Sequence, residues 1–270
     1  MISNTFRFAP MIFLASFALS SVAWATEPGT GPVTGSATHS TTCSNASLSG
    51  TYGFLHLGTD SNGTPATAAV SQVTYDSTAG TFTGETTASH GGVIATAPLS
   101  GTYTVASNCT GTGIPTGGSP FSIVVTSTGF LAAHLLAEGF AVKQGSPTCT
   151  NAGVKGRFGF ETTGAFLAGA PAIGAVVFIG ELKLTTDPSG EGVIGGHVAS
   201  SEGDTFSTFA EQPVTGSYTV HANCRGWATI KPKGHSAMHF NLVVVDGGKQ
   251  MLAVETDANT VASGTMVKGV

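Results

Sequence analysis

Histidine and cysteine are the residues of this chain best suited to chemistry, and the sequence holds eight histidines and four cysteines. His235 and His239 stand four residues apart, a spacing that on a helix would let both rings bind one metal ion. On a β-strand the same residues share a face but lie roughly 13 Å apart, too far for joint chelation. Because the surrounding sequence is β-rich, we expect both histidines to be solvated and predict no metal site.

A different histidine, His56, follows Tyr52 and Phe54 at the two-residue spacing of one strand face. Such a histidine is either a hydrogen-bonded member of the core or a polar anchor in a ligand cavity. We therefore name Tyr52, Phe54 and His56 as candidate ligand-binding residues.

Motifs for catalysis and cofactor binding are absent from the sequence. It contains no Gly-x-Ser-x-Gly elbow, no His-Glu-x-x-His zinc motif and no phosphate-binding Gly-Lys-Ser/Thr. We predict no catalytic residues and no cofactor, and the sequence favours a non-catalytic role while leaving enzymatic activity open.

The elements that must position these residues occur twice in the chain. The segment from Cys43 to Phe54 recurs as Cys149 to Phe160, and the segment from Gly101 to Gly111 recurs as Gly216 to Gly226. Self-similarity of this extent indicates a tandem duplication. We predict two domains of one fold, residues 43–144 and 149–270.

The four cysteines occupy two equivalent positions of this repeat. If each copy closes its own bridge, the disulfides are Cys43–Cys109 and Cys149–Cys224. A metal site and free thiols are the alternatives, and the absence of any Cys-x-x-Cys pair disfavours the metal.

Strand signals dominate both copies. Runs of Val, Ile, Thr, Tyr and Phe alternate with Gly, Ser, Asn and Asp turns at spacings of about 8–12 residues. We predict an all-β chain with two tandem small antiparallel β-barrels of about eight strands each, and β-sandwiches are the alternative. His134 aligns with Glu255, so each barrel would hold a titratable group at the same place if both side chains point inward.

The composition argues against one class of protein, nucleic-acid binders. Charged residues make up 9% of the 270, the net charge is −5, and there are only 10 Lys and Arg. A nucleic-acid binder working through a basic patch is therefore excluded.

The first segment has the features of an export signal. Residues 1–25 contain Arg7, the apolar run Phe8 to Leu19, and Ala-Trp-Ala before a cleavage point. Residues 26–42 are small and polar and predict a flexible leader. We expect an exported protein, periplasmic or secreted, with no transmembrane span in the mature chain.

The recurring Cys…Gly-x-Tyr/Phe-x-Phe and Gly-x-Tyr-Thr-Val-x-x-x-Cys-x-Gly patterns resemble a group of uncharacterised exported bacterial proteins. The resemblance covers nearly the whole mature chain and implies export and a β fold. It supplies no catalytic residues. The first copy departs from the group's pattern, because it has Ser127-Thr128-Gly129 where the second has Asp246-Gly247-Gly248.

Three functions fit these observations. We expect a non-catalytic binding or envelope-associated protein, with a small apolar ligand or an envelope component as its partner. A structural or adhesive surface protein is the first alternative, for which filled barrels and an apolar face between domains are expected. The second alternative is an isomerase or hydrolase acting inside a barrel, which needs a pair of convergent polar groups that the sequence does not reveal.

Overall fold

A computed structural model describes residues 42–59, 65–134, 137–145, 149–169, 174–202 and 211–269. Its regular structure in these ranges consists of sixteen β-strands and three short 3₁₀ helices. No helix in the described ranges is long and apolar enough to cross a membrane. The predicted signal peptide, residues 1–25, and all but Thr42 of the predicted leader, residues 26–42, lie outside these ranges.

The first eight strands form one closed antiparallel barrel in which each strand pairs with its sequence neighbours. The last strand closes on the first, with Tyr52 opposite Lys143. The strands are β1 (Gly50–Thr59), β2 (Pro65–Asp76), β3 (Thr81–His90), β4 (Val93–Val105), β5 (Thr110–Pro115), β6 (Phe121–Val125), β7 (Gly129–His134) and β8 (Ala137–Lys143).

The other eight strands repeat this arrangement in a second closed barrel. Phe158 lies opposite Lys268 at its closure, the same register as in the first barrel. The predicted fold class is therefore confirmed, and the sandwich alternative is wrong. The strands are β9 (Gly156–Phe166), β10 (Gly174–Thr186), β11 (Gly192–Glu202), β12 (Gln212–Val220), β13 (Arg225–Pro232), β14 (Met238–Val245), β15 (Gln250–Glu255) and β16 (Thr260–Lys268).

Two-residue alternation determines which side chains fill each barrel. On β14, Phe240, Leu242 and Val244 point into the second barrel, while Val243 and Val245 point outward. The first barrel is filled largely by rings, with Tyr75 packed edge-on against both Tyr52 and Tyr103. Aromatic pairs in this geometry add about 0.5–1.5 kcal/mol each beyond the area they bury.

One end of each barrel is capped by a 3₁₀ helix that begins with asparagine. In the helix Asn45–Leu48, the Asn45 side-chain oxygen accepts a hydrogen bond from the Val105 backbone N–H at 2.8 Å. The Tyr103 hydroxyl donates to the Asn45 carbonyl at 3.0 Å. These bonds fix the helix over the aromatic core, and Leu48 is fully buried beneath it.

The second barrel has the same cap. Asn151, in the helix Asn151–Val154, accepts from the Val220 N–H at 2.8 Å, and the Tyr218 hydroxyl donates to its carbonyl at 2.9 Å. The structure also contains both predicted disulfides, Cys43–Cys109 and Cys149–Cys224, at these ends of the barrels. The two disulfides fit a duplicated cysteine-containing domain.

The outer faces of the two barrels meet in a third apolar cluster. It joins β1 and β2 of the first barrel to β14, β15 and β16 of the second. Gly53 permits the close approach, because a Cβ there would lie 2.5 Å from a methyl group of Val245. The buried members are Leu55, Ala68, Val70, Val243, Val245, Leu252, Val254 and Val261.

Polar contacts surround this cluster. Arg225 forms an ion pair with Glu85, and Asn241 donates to the Thr87 hydroxyl at 3.1 Å. Gln144, after the last strand of the first barrel, donates to the Val244 carbonyl at 3.2 Å. Apolar burial with a polar rim fixes the orientation of one barrel on the other.

Substitution of Leu252 measures how much this contact stabilises the chain. Its repeat equivalent Leu131 is exposed and serves as the matched control. Leu252 has no exposed surface, whereas Leu131 is 53% exposed. We expect Leu252→Ala to lower the free energy of unfolding by about 3 kcal/mol through lost burial and a residual cavity. The matched Leu131→Ala should change it by less than about 0.5 kcal/mol. Urea unfolding measures both, and equal effects would show that the contact between the barrels does not stabilise the chain.

Candidate functional site

The first barrel contains a cavity of about 390 Å³ at the end opposite its 3₁₀ helix. Strand β1 begins beside that helix at Gly50 and carries Phe54 and His56 toward the cavity. Rings and small apolar side chains make up most of the wall. The lining comprises Phe54, His56, Ala69, Ser71, Val73, Tyr75, Phe82, Thr86, Leu99, Pro115, Ser119, Phe121, Phe130, Ala132, Ala133, His134, Ala137, Glu138 and Gly139.

His56 and Phe54 lie side by side on this wall. Their rings are stacked, with centroids 6.2 Å apart and planes inclined by 11°. Gly139, opposite His56 on β8, leaves room for the pair, because a Cβ there would lie 2.9 Å from the Phe54 ring. The inward direction expected of both side chains is therefore observed.

A second histidine, His134 at the end of β7, also lines the cavity. Burial lowers the pKa of His56, and repulsion from a protonated His134 lowers it further. His56 is consequently uncharged at neutral pH. The cavity thus combines an apolar wall with neutral groups that can donate or accept a hydrogen bond.

A hydrogen-bonded pair on the neighbouring strands supplies further polarity, since Ser71 on β2 is the register partner of Phe54. The Ser71 hydroxyl donates to the Thr86 hydroxyl at 2.9 Å, across the β2–β3 pairing. Tyr75 lies below them, and burial raises the pKa of its hydroxyl well above the usual value. These hydroxyl groups are uncharged, and Glu138 is the acidic residue of the lining.

Tyr52 occupies a different place from the other two predicted residues. It is buried in the aromatic core beneath the cavity, where its ring packs against those of Tyr75 and Phe130. The Lys143 ammonium lies 5.9 Å from the centre of its ring. Tyr52 therefore supports the floor of the cavity, whereas Phe54 and His56 face its interior.

The second barrel also has a cavity, of about 300 Å³, at the corresponding end. Its character differs, because Thr162 replaces His56 and donates to the Ser263 carbonyl at 3.1 Å. Phe178 lies across from Thr162, in the register that Ala69 has with His56. The lining comprises Phe166, Phe178, His235, Ser236, Ala237, Met238, Glu255, Asp257, Ala258 and Thr260.

Glu255 is the buried acid of this second cavity. Its side chain points inward from the end of β15, and the residue is only 2% exposed. Burial, reinforced by the nearby Asp257 carboxylate, raises the pKa of Glu255 to about 8. One carboxyl oxygen, Oε2, is buried without a hydrogen-bond partner in the described part of the chain. His134 and Glu255, which the repeat alignment places at equivalent positions, thus both face their cavities.

Asp257 is held at the edge of the cavity by His239. The His239 backbone N–H and ring Nδ1 lie 2.8 and 2.7 Å from the two Asp257 oxygens. The expectation that His235 and His239 share one strand face is wrong, because the strand starts later than the pattern suggested. His235 lies in the turn before β14 and lines the cavity, whereas His239 is on β14 and points outward. In the described ranges, no three His, Cys, Asp or Glu side chains are grouped to hold a metal ion.

Sequence reasoning missed the convergence of polar groups. Each cavity brings two together, His56 with His134 in the first and Glu255 with Asp257 in the second. The sequence signals were the alignment of His134 with Glu255 and the position of Glu255 at the end of the apolar run Met251 to Val254. That run is apolar on both faces, so its alternation did not reveal which way Glu255 points.

Comparisons with known proteins give no family for this chain. No family model matches it, and no curated protein matches it. A solved protein of unknown function from the DUF3598 family of Nostoc punctiforme is similar over 83% of this chain and 97% of its own. The identity is 10% and the TM-score 0.27, so this likeness does not establish a common fold.

Proposed function

We propose that the protein is an exported, non-catalytic binding protein whose first barrel holds a small apolar molecule. The cavity of about 390 Å³ carries this proposal, since its wall is mostly aromatic and aliphatic and contains few polar groups. Such walls are typical of small-molecule sites. Phe54 offers a ring face, and His56 and His134 offer a hydrogen bond to one polar atom of the ligand.

The proposed location follows from the first 25 residues and the cysteines. Two disulfides are consistent with an oxidising extracellular or periplasmic compartment. We place residues 1–25 as a cleaved signal peptide and residues 26–42 as the leader of the mature chain. The domains are residues 43–144 and 149–270, each built around one barrel.

The structural or adhesive alternative fits one observation and conflicts with another. An apolar contact between the domains is present, as that alternative expects. The barrels, however, are not filled, because each contains a cavity large enough for a small molecule. The cavities therefore favour the binding function. The remaining alternative is an isomerase or hydrolase that acts inside a barrel. The polar groups that converge in each cavity are the one observation that favours it.

Filling the first cavity should abolish binding there. Ala132 is buried and lines the cavity, so in Ala132→Phe a ring would occupy the space of the ligand. We expect wild-type protein to bind the uncharged fluorophore N-phenyl-1-naphthylamine with increased emission, and the variant to bind it at least tenfold more weakly. Fluorescence titration of both proteins at pH 7 measures the two affinities.

The matched control fills the other barrel. Ala237→Phe occupies the second cavity and should leave the affinity for the fluorophore unchanged. Native mass spectrometry of the exported protein adds an independent measurement, since a mass above that of the mature chain with two disulfides reveals a retained ligand. Absence of fluorophore binding, or equal binding by Ala132→Phe, would refute the proposal.

A further inference from the structure

The second cavity has a chemistry that the proposed function of the first does not explain. Two carboxyl groups, those of Glu255 and Asp257, line one space of about 300 Å³. The lining includes no Lys or Arg. His239 contacts Asp257 from outside the barrel, and His235 is the only other titratable group among the lining residues.

The Glu255 carboxyl group shares a hydrogen bond with Asp257, but its second oxygen has no partner among the described residues. The residue is 98% buried, and its Oε2 receives no hydrogen bond from the described part of the chain. A buried polar atom left in this state costs stability, because it has lost its hydrogen bonds to water without gaining another. A ligand that donates a hydrogen bond to Oε2 would remove that cost.

The charges of the site favour a cation over an anion. An anionic ligand would be repelled by Asp257 beside Glu255, whereas a cation would interact favourably with both carboxyl groups. The apolar walls, Phe166, Phe178 and Met238, would contact the uncharged remainder of the ligand. Phenyl ring faces also attract cations.

We infer that the second barrel binds a small molecule with a positively charged amino group on an apolar body, and that Glu255 receives the amino group. The two barrels then bind different classes of ligand at corresponding ends. A neutral apolar ligand suits the first cavity, and an organic ammonium ion suits the second.

Phenethylamine and phenethyl alcohol test the inference, because they share a shape and differ in charge. In calorimetric titrations at pH 8, wild-type protein should bind the amine at least tenfold more tightly than the alcohol. Glu255→Gln keeps the shape of the side chain and should remove this preference. The matched Glu138→Gln changes a carboxyl group at the first cavity and should retain it.

Proton release supplies a second readout. Because Glu255 is mostly protonated at pH 6.5, binding of an ammonium ion should displace close to one proton, and affinity should rise at least tenfold from pH 6.5 to pH 8.5. Asp257 and His235 face the same space, so Glu255→Gln must abolish the proton release if Glu255 is its source.

Three results of these experiments would each contradict ammonium binding at Glu255. No binding of phenethylamine at millimolar concentration, equal affinity for the alcohol, or an amine preference that survives in folded Glu255→Gln would overturn the inference. Ala237→Phe, which fills the cavity without altering a carboxyl group, should bind neither compound. Fluorophore binding in the first barrel is measured separately, so failure of one proposal is distinguishable from failure of the other.

Discussion

Removal of either disulfide should lower the free energy of unfolding by about 4 kcal/mol, according to the chain-entropy relation for loops of this length. The bridges close loops spanning 66 and 75 residues, and each ties the start of a barrel to the turn between its fourth and fifth strands. The variants are Cys43→Ala/Cys109→Ala and Cys149→Ala/Cys224→Ala. Urea unfolding of each, compared with the oxidised wild-type protein, measures the loss.

In the proposed mature chain, which lacks Trp24, Trp227 makes the measurement specific to one barrel. It lies on the outer face of β13 and is 42% exposed, so its emission reports unfolding of the second barrel. Because the barrels share an apolar contact, loss of the first-barrel bridge should also shift the Trp227 transition to lower urea concentration. A first-barrel variant whose Trp227 transition coincides with that of wild type would show that the barrels unfold independently.

Glu255 should make the protein progressively less stable as the pH rises from about 5 to 8. Its pKa is about 8 in the folded protein, against 4.5 for an unburied glutamate, so the folded state binds the proton more tightly. Between these values the unfolded chain carries fewer protons at this site, and the unfolding free energy falls by up to about 1.4 kcal/mol per pH unit.

The comparison with Glu255→Gln isolates this effect. Glutamine does not ionise, so the variant should lack this fall and become more stable than wild type toward pH 8. His56, whose lowered pKa destabilises the fold as the pH drops below about 6.5, acts equally in both proteins and cancels in the difference. Urea unfolding at pH 5, 6, 7 and 8 measures both curves, with Glu191→Gln as an exposed-acid control. Parallel curves for wild type and Glu255→Gln would contradict the burial of this carboxyl group.

The fold was predictable from the sequence because its determinants are local. Two-residue alternation placed Phe54 and His56 on one strand face, and the repeated cysteine positions defined both disulfides. These features depend on strand period and on duplication, and neither requires knowledge of how distant strands pack.

The cavities were not predictable in the same way. Whether a barrel is hollow depends on the summed volume of side chains from all eight strands. Ala69 faces His56 in the first barrel, whereas Phe178 faces Thr162 in the second, and such differences shape the empty space. The direction of Glu255 was also hidden, because the outer face of β15 is covered by the first barrel and is as apolar as its inner face.

The contact between the barrels joins the β1–β2 face of the first barrel to the β14–β16 face of the second. Because these faces are different surfaces of the repeated fold, the contact is head-to-tail. A head-to-tail contact repeated from chain to chain produces a ring if its rotation closes and an open filament if it does not. In each chain, this contact leaves two faces uncovered. They are the face of the first barrel equivalent to β14–β16 and the face of the second barrel equivalent to β1–β2. On the first barrel, Val124 and Leu131 stand at the repeat positions of the covered Val243 and Leu252, and they are 47% and 53% exposed.

The complementary unused face, on the second barrel, carries a charge at its centre. Glu161 pairs in register with Ile179, at the place where Leu55 pairs with Val70 in the first barrel. A further chain docking on this face would have to remove water from the Glu161 carboxylate, which is costly for an unpaired charge. The Glu161 carboxylate, joined on the same face by Glu181, therefore disfavours docking of a further chain.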